Sequence, residues 1–260
     1  VNITLKMISN IEAIPAFSDN YIWTLIEGNS AVVVDPGDAS AVNNFLNTNN
    51  LTLEAILITH HHWDHTDGIQ GLYERWQCKV IGPAKDSTVP IAHLSQGITE
   101  GNSFLFADST VKVIHTPGHT LDMINFYLPS ENILFSGDTL FSLGCGRVFE
   151  GDMNMMYNSI NKISALPDKT TIYCSHEYTI ANGKFALNVE GDNKSLIARI
   201  NQVEELIAAN KPTIPTTLEL EKQTNPFLRT SSPSIRNKLG LKNASEVEVF
   251  SALRTAKDNF

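Results

Sequence analysis

Seven consecutive residues, Thr59-His60-His61-His62-Trp63-Asp64-His65, set histidines and an aspartate in an H-x-H-x-D-H spacing, with His60, His62, Asp64 and His65 as potential metal ligands. Neutral imidazole suits zinc, iron and similar ions, and a carboxylate adds a hard anionic oxygen. Adventitious histidine tracts lie in polar, low-complexity surroundings. This one follows the apolar run Ala55–Thr59 and precedes a segment with apolar residues at helical intervals. It is expected on the loop leaving a buried strand, with the strand end directing the first imidazoles and a helix start orienting Asp64 and His65. Three imidazoles and a carboxylate packed this closely cannot all reach one tetrahedral ion without contorting the backbone. Two ions are implied, with further ligands from elsewhere in the chain.

The elements that would position such ligands follow from hydrophobic periodicity. Strands are predicted at 11–17, 21–27, 31–35, 53–59, 79–82, 110–116, 123–128, 132–136 and 171–175. Helical spacing is read around Ala41–Leu46, over 66–77, and through Tyr157, Ile160, Ile163 and Leu166. The stretch 85–110, broken by Gly97 and Gly101, gives no firm element. Four predicted strands run into a potential ligand: His60, His119, Asp138 and His176. Strands interleaved with helices predict an α/β architecture, and loops carried on a rigid sheet are where sites are usually built.

The last 84 residues read as mostly helical. Leu196, Ile197, Ile200, Val203, Leu206 and Ile207 form an amphipathic stripe. Ser232-Pro233 opens a short helix that Gly240 closes, and Ser245 with Glu248 fits a capping box for a final helix. Phe250, Arg254 and Lys257 share one stripe of it. The expected organisation is a catalytic domain at 1–176 and a helical substrate-binding domain at 177–260, with the boundary near 177–193.

The formal net charge of -9 argues against nucleic acid and anionic membranes as partners. The first 176 residues hold 8 basic against 18 acidic side chains, and the remainder 11 against 10, so most positive charge lies in the helical part. No apolar stretch approaches the ~18–20 residues that cross a bilayer. No secretory signal is visible at Val1–Lys6, and Met7 could be the initiator. Cys78, Cys145 and Cys174 are widely spaced and odd in number, which favours a reducing, cytoplasmic setting. Each is read as a small buried hydrophobe, with Cys145 as nucleophile a minor alternative that lacks an assignable relay.

Taken together, THHHWDH (59–65), TPGHT (116–120), GDTLF (137–141) and SHEYT (175–179) resemble the metallo-β-lactamase superfamily of metal-dependent hydrolases. GCGRVFEG (144–151), NPFLR (225–229) and the ending LRTAKDNF narrow the resemblance to the glyoxalase II, or hydroxyacylglutathione hydrolase, family. It covers nearly the whole chain. It implies an αββα sandwich of two mixed sheets with a C-terminal helical domain. It implies two divalent ions, zinc foremost with iron or manganese as alternatives. One ion would be held by His60, His62 and His119 and the other by Asp64, His65 and His176, with Asp138 bridging. Asp64 and Asp138 would also be catalytic, holding a metal-bridging hydroxide that attacks a thioester carbonyl.

The implied substrate is a glutathione thioester, and the protein is expected to act on it as a monomer. Arg254 and Lys257 would meet the glutathione glycine carboxylate, and Arg147, Phe149 and Tyr178 would supply the other contacts. His61, His93 and His115 are read as non-ligands. Three positions depart from the family pattern: Asp122-Met123 stands for a Gly-His pair, Asp67 for a glycine, and Phe149 for a tyrosine. The alternatives are a mononuclear iron glutathione-persulfide dioxygenase, another hydrolase of the same scaffold, and a non-catalytic metal-binding protein.

Overall fold

The computed structural model describes residues 10–84 and 89–260. The Met7 reading and residues 85–88 of the undecided stretch lie outside the described residues. The chain divides into two compact units, one running to His115 and resuming over Asp122–Gly137, the other made of Thr116–Leu121 and Asp138–Phe260.

The first unit opens with β1 (Asn10–Ala16), β2 (Asn20–Glu27) and β3 (Ser30–Val34), an antiparallel meander. Gly28, at φ +57°, makes the tight turn between β2 and β3, where a side chain would be strained. Helix α1 (Ala39–Thr48) then crosses to β4 (Thr52–Leu57), which pairs parallel with β3. Asp38 caps α1, accepting hydrogen bonds from the backbone N–H of Ser40 and Ala41. After β4 come α2 (Trp63–Thr66), α3 (Ile69–Trp76), and the parallel strands β5 (Lys79–Pro83) and β6 (Gln96–Ile98). The sheet runs β1-β2-β3-β4-β5-β6.

One face of this sheet, through Val33, Ile56, Ile58 and Val80, packs on Val42 and Leu46 of α1 and Ile69 and Leu72 of α3. The alternate residues Val32, Val34 and Leu57 are equally buried. Strands covered on both faces read as continuous β-branched runs, as 31–34 does. Four further strands, β7 (Ser103–Phe106), β8 (Ser109–His115), β9 (Ile124–Leu128) and β10 (Ile133–Gly137), form an antiparallel set. The Ile124 N–H donates to Thr59 O at 2.9 Å, tying this set to the exit of β4.

The helix expected over 66–77 is α3, which starts three residues later than expected. Between α2 and α3 stands Gly68, whose N–H donates to Pro36 O at 3.0 Å. A Cβ there would lie 2.2 Å from that same carbonyl oxygen, so the close approach requires glycine. Asp67 sits in ordinary right-handed helical geometry (φ -63°, ψ -22°), so the departure from glycine at that position costs no backbone strain.

The second unit carries a small hairpin, β11 (Leu140–Phe141) with β12 (Gly144–Cys145), then α4 (Met153–Ser164) and β13 (Thr171–Cys174). Helices α5 (Thr179–Glu190) and α6 (Lys194–Ala208) follow. After them come β14 (Thr216–Thr217), which pairs with β13, and α7 (Leu218–Thr224). A 3-10 turn at Pro226–Leu228, α8 (Pro233–Leu239) and α9 (Glu246–Asp258) complete it. Gly240, at φ +72°, ends α8, and the Ser245–Glu248 capping box at α9 is formed reciprocally. The segment 177–193, expected to hold a domain boundary, contains α5, buried around Asn182, Gly183, Phe185, Ala186 and Val189. Its apolar and small polar residues are spread around the helix rather than along one stripe, which is why the sequence shows no clean helical period there. Among the described residues no helix is long and apolar enough to cross a membrane.

Arg229, in the NPFLR motif, anchors this unit through a bidentate pair with Glu190 at 2.7 and 2.9 Å. Burial pushes the Glu190 carboxyl up, but hydrogen bonds from Arg229, Ser232 and Asn193 outweigh it and hold the group below its usual range. The stability this contributes is present above the ordinary glutamate pKa and is lost as pH falls through the depressed one. Arg229→Met removes the strongest of those hydrogen bonds and the opposite charge, so that contribution weakens. The difference in Tm between parent and variant should therefore be largest at pH 7 and shrink steadily as acid is added; thermal denaturation from pH 7 to about pH 4 checks this.

Candidate metal centre

In the first unit, the loop after β4 places His60 and His65 in full burial, with ring centroids 4.2 Å apart. His60 Nε2 and His62 Nδ1 face each other at 3.1 Å. Asp64 Oδ2 lies 3.4 Å from His65 Nε2. Asp35, His60 and His65 together offer ligand atoms all within 4.8 Å of one another.

The second ring nitrogens fix the tautomers. The Thr59 hydroxyl donates to Asp35 Oδ2 at 2.7 Å and therefore meets His60 Nδ1, at 3.0 Å, as an acceptor. Nδ1 carries the proton and Nε2 presents its lone pair. His65 Nδ1 lies 3.1 Å from the same Asp35 oxygen, and its Nε2 faces the Asp64 carboxylate. An imidazole nitrogen and a carboxylate oxygen turned toward each other fit a cation between them.

From sequence, Asp35 reads only as the end of a strand. It is buried, at φ +54°, and also accepts from the Thr59 N–H at 2.7 Å. Its signal is a left-handed turn chemistry, Asp-Pro-Gly-Asp, at the end of a fully apolar strand. Asn20, which reads as a turn residue, is likewise buried and donates to Asp64 Oδ2 at 3.0 Å, orienting that carboxylate. Gly137, at φ +49°, lies where a Cβ would be 2.6 Å from Thr59 Oγ1, so a side chain there would push on the hydroxyl that sets His60. His61 turns from its neighbours to Asp122 at 3.0 Å. Asp122 thus supplies a polar partner where the family pattern has another residue, and Met123 is fully buried.

In the second unit, Asp138 Oδ2 lies 3.4 Å from both His119 Nε2 and His176 Nε2. His119 Nδ1 donates to the Arg147 carbonyl at 2.8 Å, so its Nε2 also offers a lone pair. His176 is held by parallel stacking on Tyr178, with centroids 4.7 Å apart, and by the edge of Phe141. Gly118 of TPGHT lets α4 approach, since a Cβ would lie 2.8 Å from Met156 Cα. In both units, imidazoles with the far nitrogen committed to an oxygen meet an anionic carboxylate. That donor chemistry fits divalent ions.

The residues expected to meet substrate all lie in the second unit. The Arg147 side chain is 53% exposed and reaches Asp258 at 3.0 Å. Phe149 is 60% exposed and sets its ring against His119. Tyr178 is partly exposed. The Lys257 ammonium lies 5.8 Å from the Phe185 ring centre and 5.7 Å from that of Phe260. Desolvation and the nearby Arg254 and Arg147 charges lower its pKa, against the opposing pull of Asp258.

Arg254, expected to reach a substrate carboxylate directly, is only 5% exposed. Its Nη1 donates to Cys145 O at 2.7 Å and its Nη2 to Asp258 at 3.0 Å. Only its spacing from Phe250 and Lys257 is visible in sequence, and that stripe packs inward at Arg254. Cys145 is buried and its thiol is pushed up to about 11, chiefly by desolvation, so it is no thiolate nucleophile at neutral pH.

Asp35→Ala removes the acceptor that directs the Thr59 hydroxyl beside His60 and the carboxylate that faces His65 Nδ1. Chelator competition should show metal affinity falling by about 10–100-fold; unchanged affinity would show that Asp35 does not tune these ligands.

Residues 20–176 match the family described as the metallo-beta-lactamase superfamily, and residues 177–260 match the hydroxyacylglutathione hydrolase C-terminus. The hydroxyacylglutathione hydrolase of Photobacterium profundum is 46% identical over 254 residues, covering 96% of this chain and 99% of that protein. The enzyme of the same name from Vibrio parahaemolyticus is 45% identical over 254 residues, with the same coverage. Among solved structures, the BLEG-1 B3 metallo-beta-lactamase matches with a TM-score of 0.64 and 26% identity, covering 85% of this chain and all of that one. ETHE1 from Myxococcus xanthus, also at TM-score 0.64 but 22% identical, covers 95% of this chain and 97% of its own and shares the fold alone. The α/β class expected from the order of strands and helices is the one found, and the chain belongs to the hydroxyacylglutathione hydrolase family of the metallo-β-lactamase superfamily.

Proposed function

We propose that this enzyme hydrolyses S-(2-hydroxyacyl)glutathione, chiefly S-D-lactoylglutathione, to D-lactate and glutathione, the thioester-cleaving step of methylglyoxal detoxification. The observation that carries this reading is the match of residues 177–260 to the hydroxyacylglutathione hydrolase C-terminus, beside a catalytic part whose ligand motifs are intact. The two family matches meet at residue 176, which supports a catalytic domain at 1–176 and a substrate-binding domain at 177–260.

By the family resemblance, His60, His62 and His119 would hold one divalent ion and Asp64, His65 and His176 the other, with Asp138 shared by both. Imidazole and carboxylate together favour zinc, with iron and manganese accepted by the same ligands. Bound there, such ions supply Lewis acidity that makes water a nucleophile at neutral pH and polarises the thioester carbonyl.

Asp64, steadied by Asn20, and Asp138 hold the attacking water and accept its hydrogen bonds. His119 and His60, with Nδ1 committed to the Arg147 carbonyl and the Thr59 hydroxyl, are held in one ring orientation. The leaving group is a thiolate, so no dedicated acid is required. The two carboxylates of glutathione call for cations. Of the expected cations Arg147 is exposed and Lys257 half-buried, Phe149 and Tyr178 line the approach, and Arg254 acts behind them by holding Asp258 and Cys145. The buried free thiols support a reducing cytoplasmic setting, and the small-molecule substrate needs no second subunit, nucleic acid or membrane.

Assay of S-lactoylglutathione hydrolysis, with metal analysis of the same sample, tests the proposal. Turnover with two metal ions per chain is expected. One iron per chain with oxygen uptake on glutathione persulfide would replace this reading with a dioxygenase. Asp138→Ala should lose bound metal and turnover together. Lys257→Ala should raise KM for glutathione thioesters by about tenfold, the loss of one charge-assisted contact, and leave a small neutral thioester unaffected. Equal effects on both substrates would remove Lys257 from the carboxylate site.

A further inference from the structure

The NPFLR motif is not absorbed by metal binding or by substrate contacts. Its first residue, Asn225, is fully buried and turns its side chain onto the β11–β12 hairpin. Asn225 Nδ2 donates to Phe141 O at 3.1 Å and to Gly144 O at 2.9 Å. Its Oδ1 accepts from the Phe227 N–H at 3.0 Å, which fixes the direction of the amide.

The same hairpin is gripped at three further residues. Asn182 Nδ2 donates to Ser142 O at 3.1 Å, and the Leu143 N–H donates to Glu221 Oε2 at 2.8 Å. Arg254 holds Cys145 O. Glu221 is fully buried and also accepts from Thr216 and from Asn225, at 2.7 and 3.0 Å. A pair of two-residue strands does not hold itself together. Its turn is also strained, because Leu143 sits at φ +59°, a left-handed conformation unusual for a bulky residue. Such strain persists only where the surroundings over-determine it.

What lies at the two ends of this hairpin gives the grip a purpose. Asp138 stands just before it, separated by Thr139 alone. Just after it, the Gly146 N–H returns to Thr139 O at 3.1 Å, and the Arg147 carbonyl receives the His119 Nδ1 proton. A Cβ on Gly146 would lie 2.0 Å from Asp138 O, so the loop closes directly onto the aspartate backbone. We propose that Asn225 and Glu221 are positioning residues for the metal ligands Asp138 and His119, holding the hairpin that fixes the distance between them. This rests on the assignment of those two residues as ligands. It gives the C-terminal helices a role in building the metal centre, separate from binding substrate.

Asn225→Asp turns a donor into an acceptor facing two carbonyls and a carboxylate, and Asn225→Ser removes the reach while leaving a small polar group. The test compares both with the parent after substitution with Co(II), reading the visible absorption bands and chelator competition. Val203→Ala, a fully buried site on α6 outside the grip, is the control for stability loss. The Asn225 variants should shift the Co(II) bands and weaken metal binding by about 10–100-fold. Their kcat should fall while KM stays within about twofold, and Val203→Ala should lower Tm without moving the bands. Parent-like bands and affinity in a folded Asn225 variant, or an equal band shift in Val203→Ala, would overturn the proposal. If Asp138→Ala leaves the parent spectrum unchanged, the ligand assignment itself fails; a response to Asp138→Ala with none to Asn225 substitution refutes the positioning role alone.

Discussion

A single buried carboxylate, Asp35, anchors the start of the histidine loop. One of its oxygens takes the Thr59 hydroxyl, which forces His60 to carry its proton on Nδ1, and the same oxygen faces Nδ1 of His65. Its other oxygen takes the Thr59 N–H and so fixes the backbone where the strand ends and the loop begins. One buried anion thereby orients two imidazoles and the chain that carries them. Its left-handed backbone is the cost of turning the side chain inward at that point. The equivalent arrangement at His119 uses a main-chain carbonyl, which needs no charge but must be held in place by the loop that bears it.

The ligand loop is readable in sequence because its spacing is dense and because the strand that delivers it is uniformly apolar. The same holds for the strand-end positions of His119, Asp138 and His176: each follows a predicted strand that the structure has, and each comes within four residues of its end. Capping chemistry is equally legible at Ser245–Glu248 and at Gly240, where local hydrogen bonding alone decides the structure.

The supporting residues are not. Asp35 and Asn20 carry turn-like sequence signals, and what they do depends on Thr59 and Asp64, more than twenty residues away. Arg254 looks like a surface cation from its place on a helical stripe, because periodicity cannot tell a face that meets solvent from one that meets a polar hairpin. The hairpin at 140–145 escapes sequence reasoning for a related reason. Its residues have little strand propensity of their own, and its stability comes from side chains spread between 182 and 254. Helix α5, buried around most of its circumference, lacks the amphipathic period by which a helix is recognised.

The three cysteines bear on the company such an enzyme keeps. All are buried and none forms a disulfide, and desolvation raises each thiol, that of Cys145 to about 11 and that of Cys174 to about 12. Hydrolysis of a glutathione thioester releases a thiol at the active site, and oxidative conditions turn that thiol into a disulfide. Exchange with a protein requires an accessible thiolate. This chain offers none from its cysteines at neutral pH, so its product pool can swing between reduced and oxidised forms without capping the catalyst that generates it.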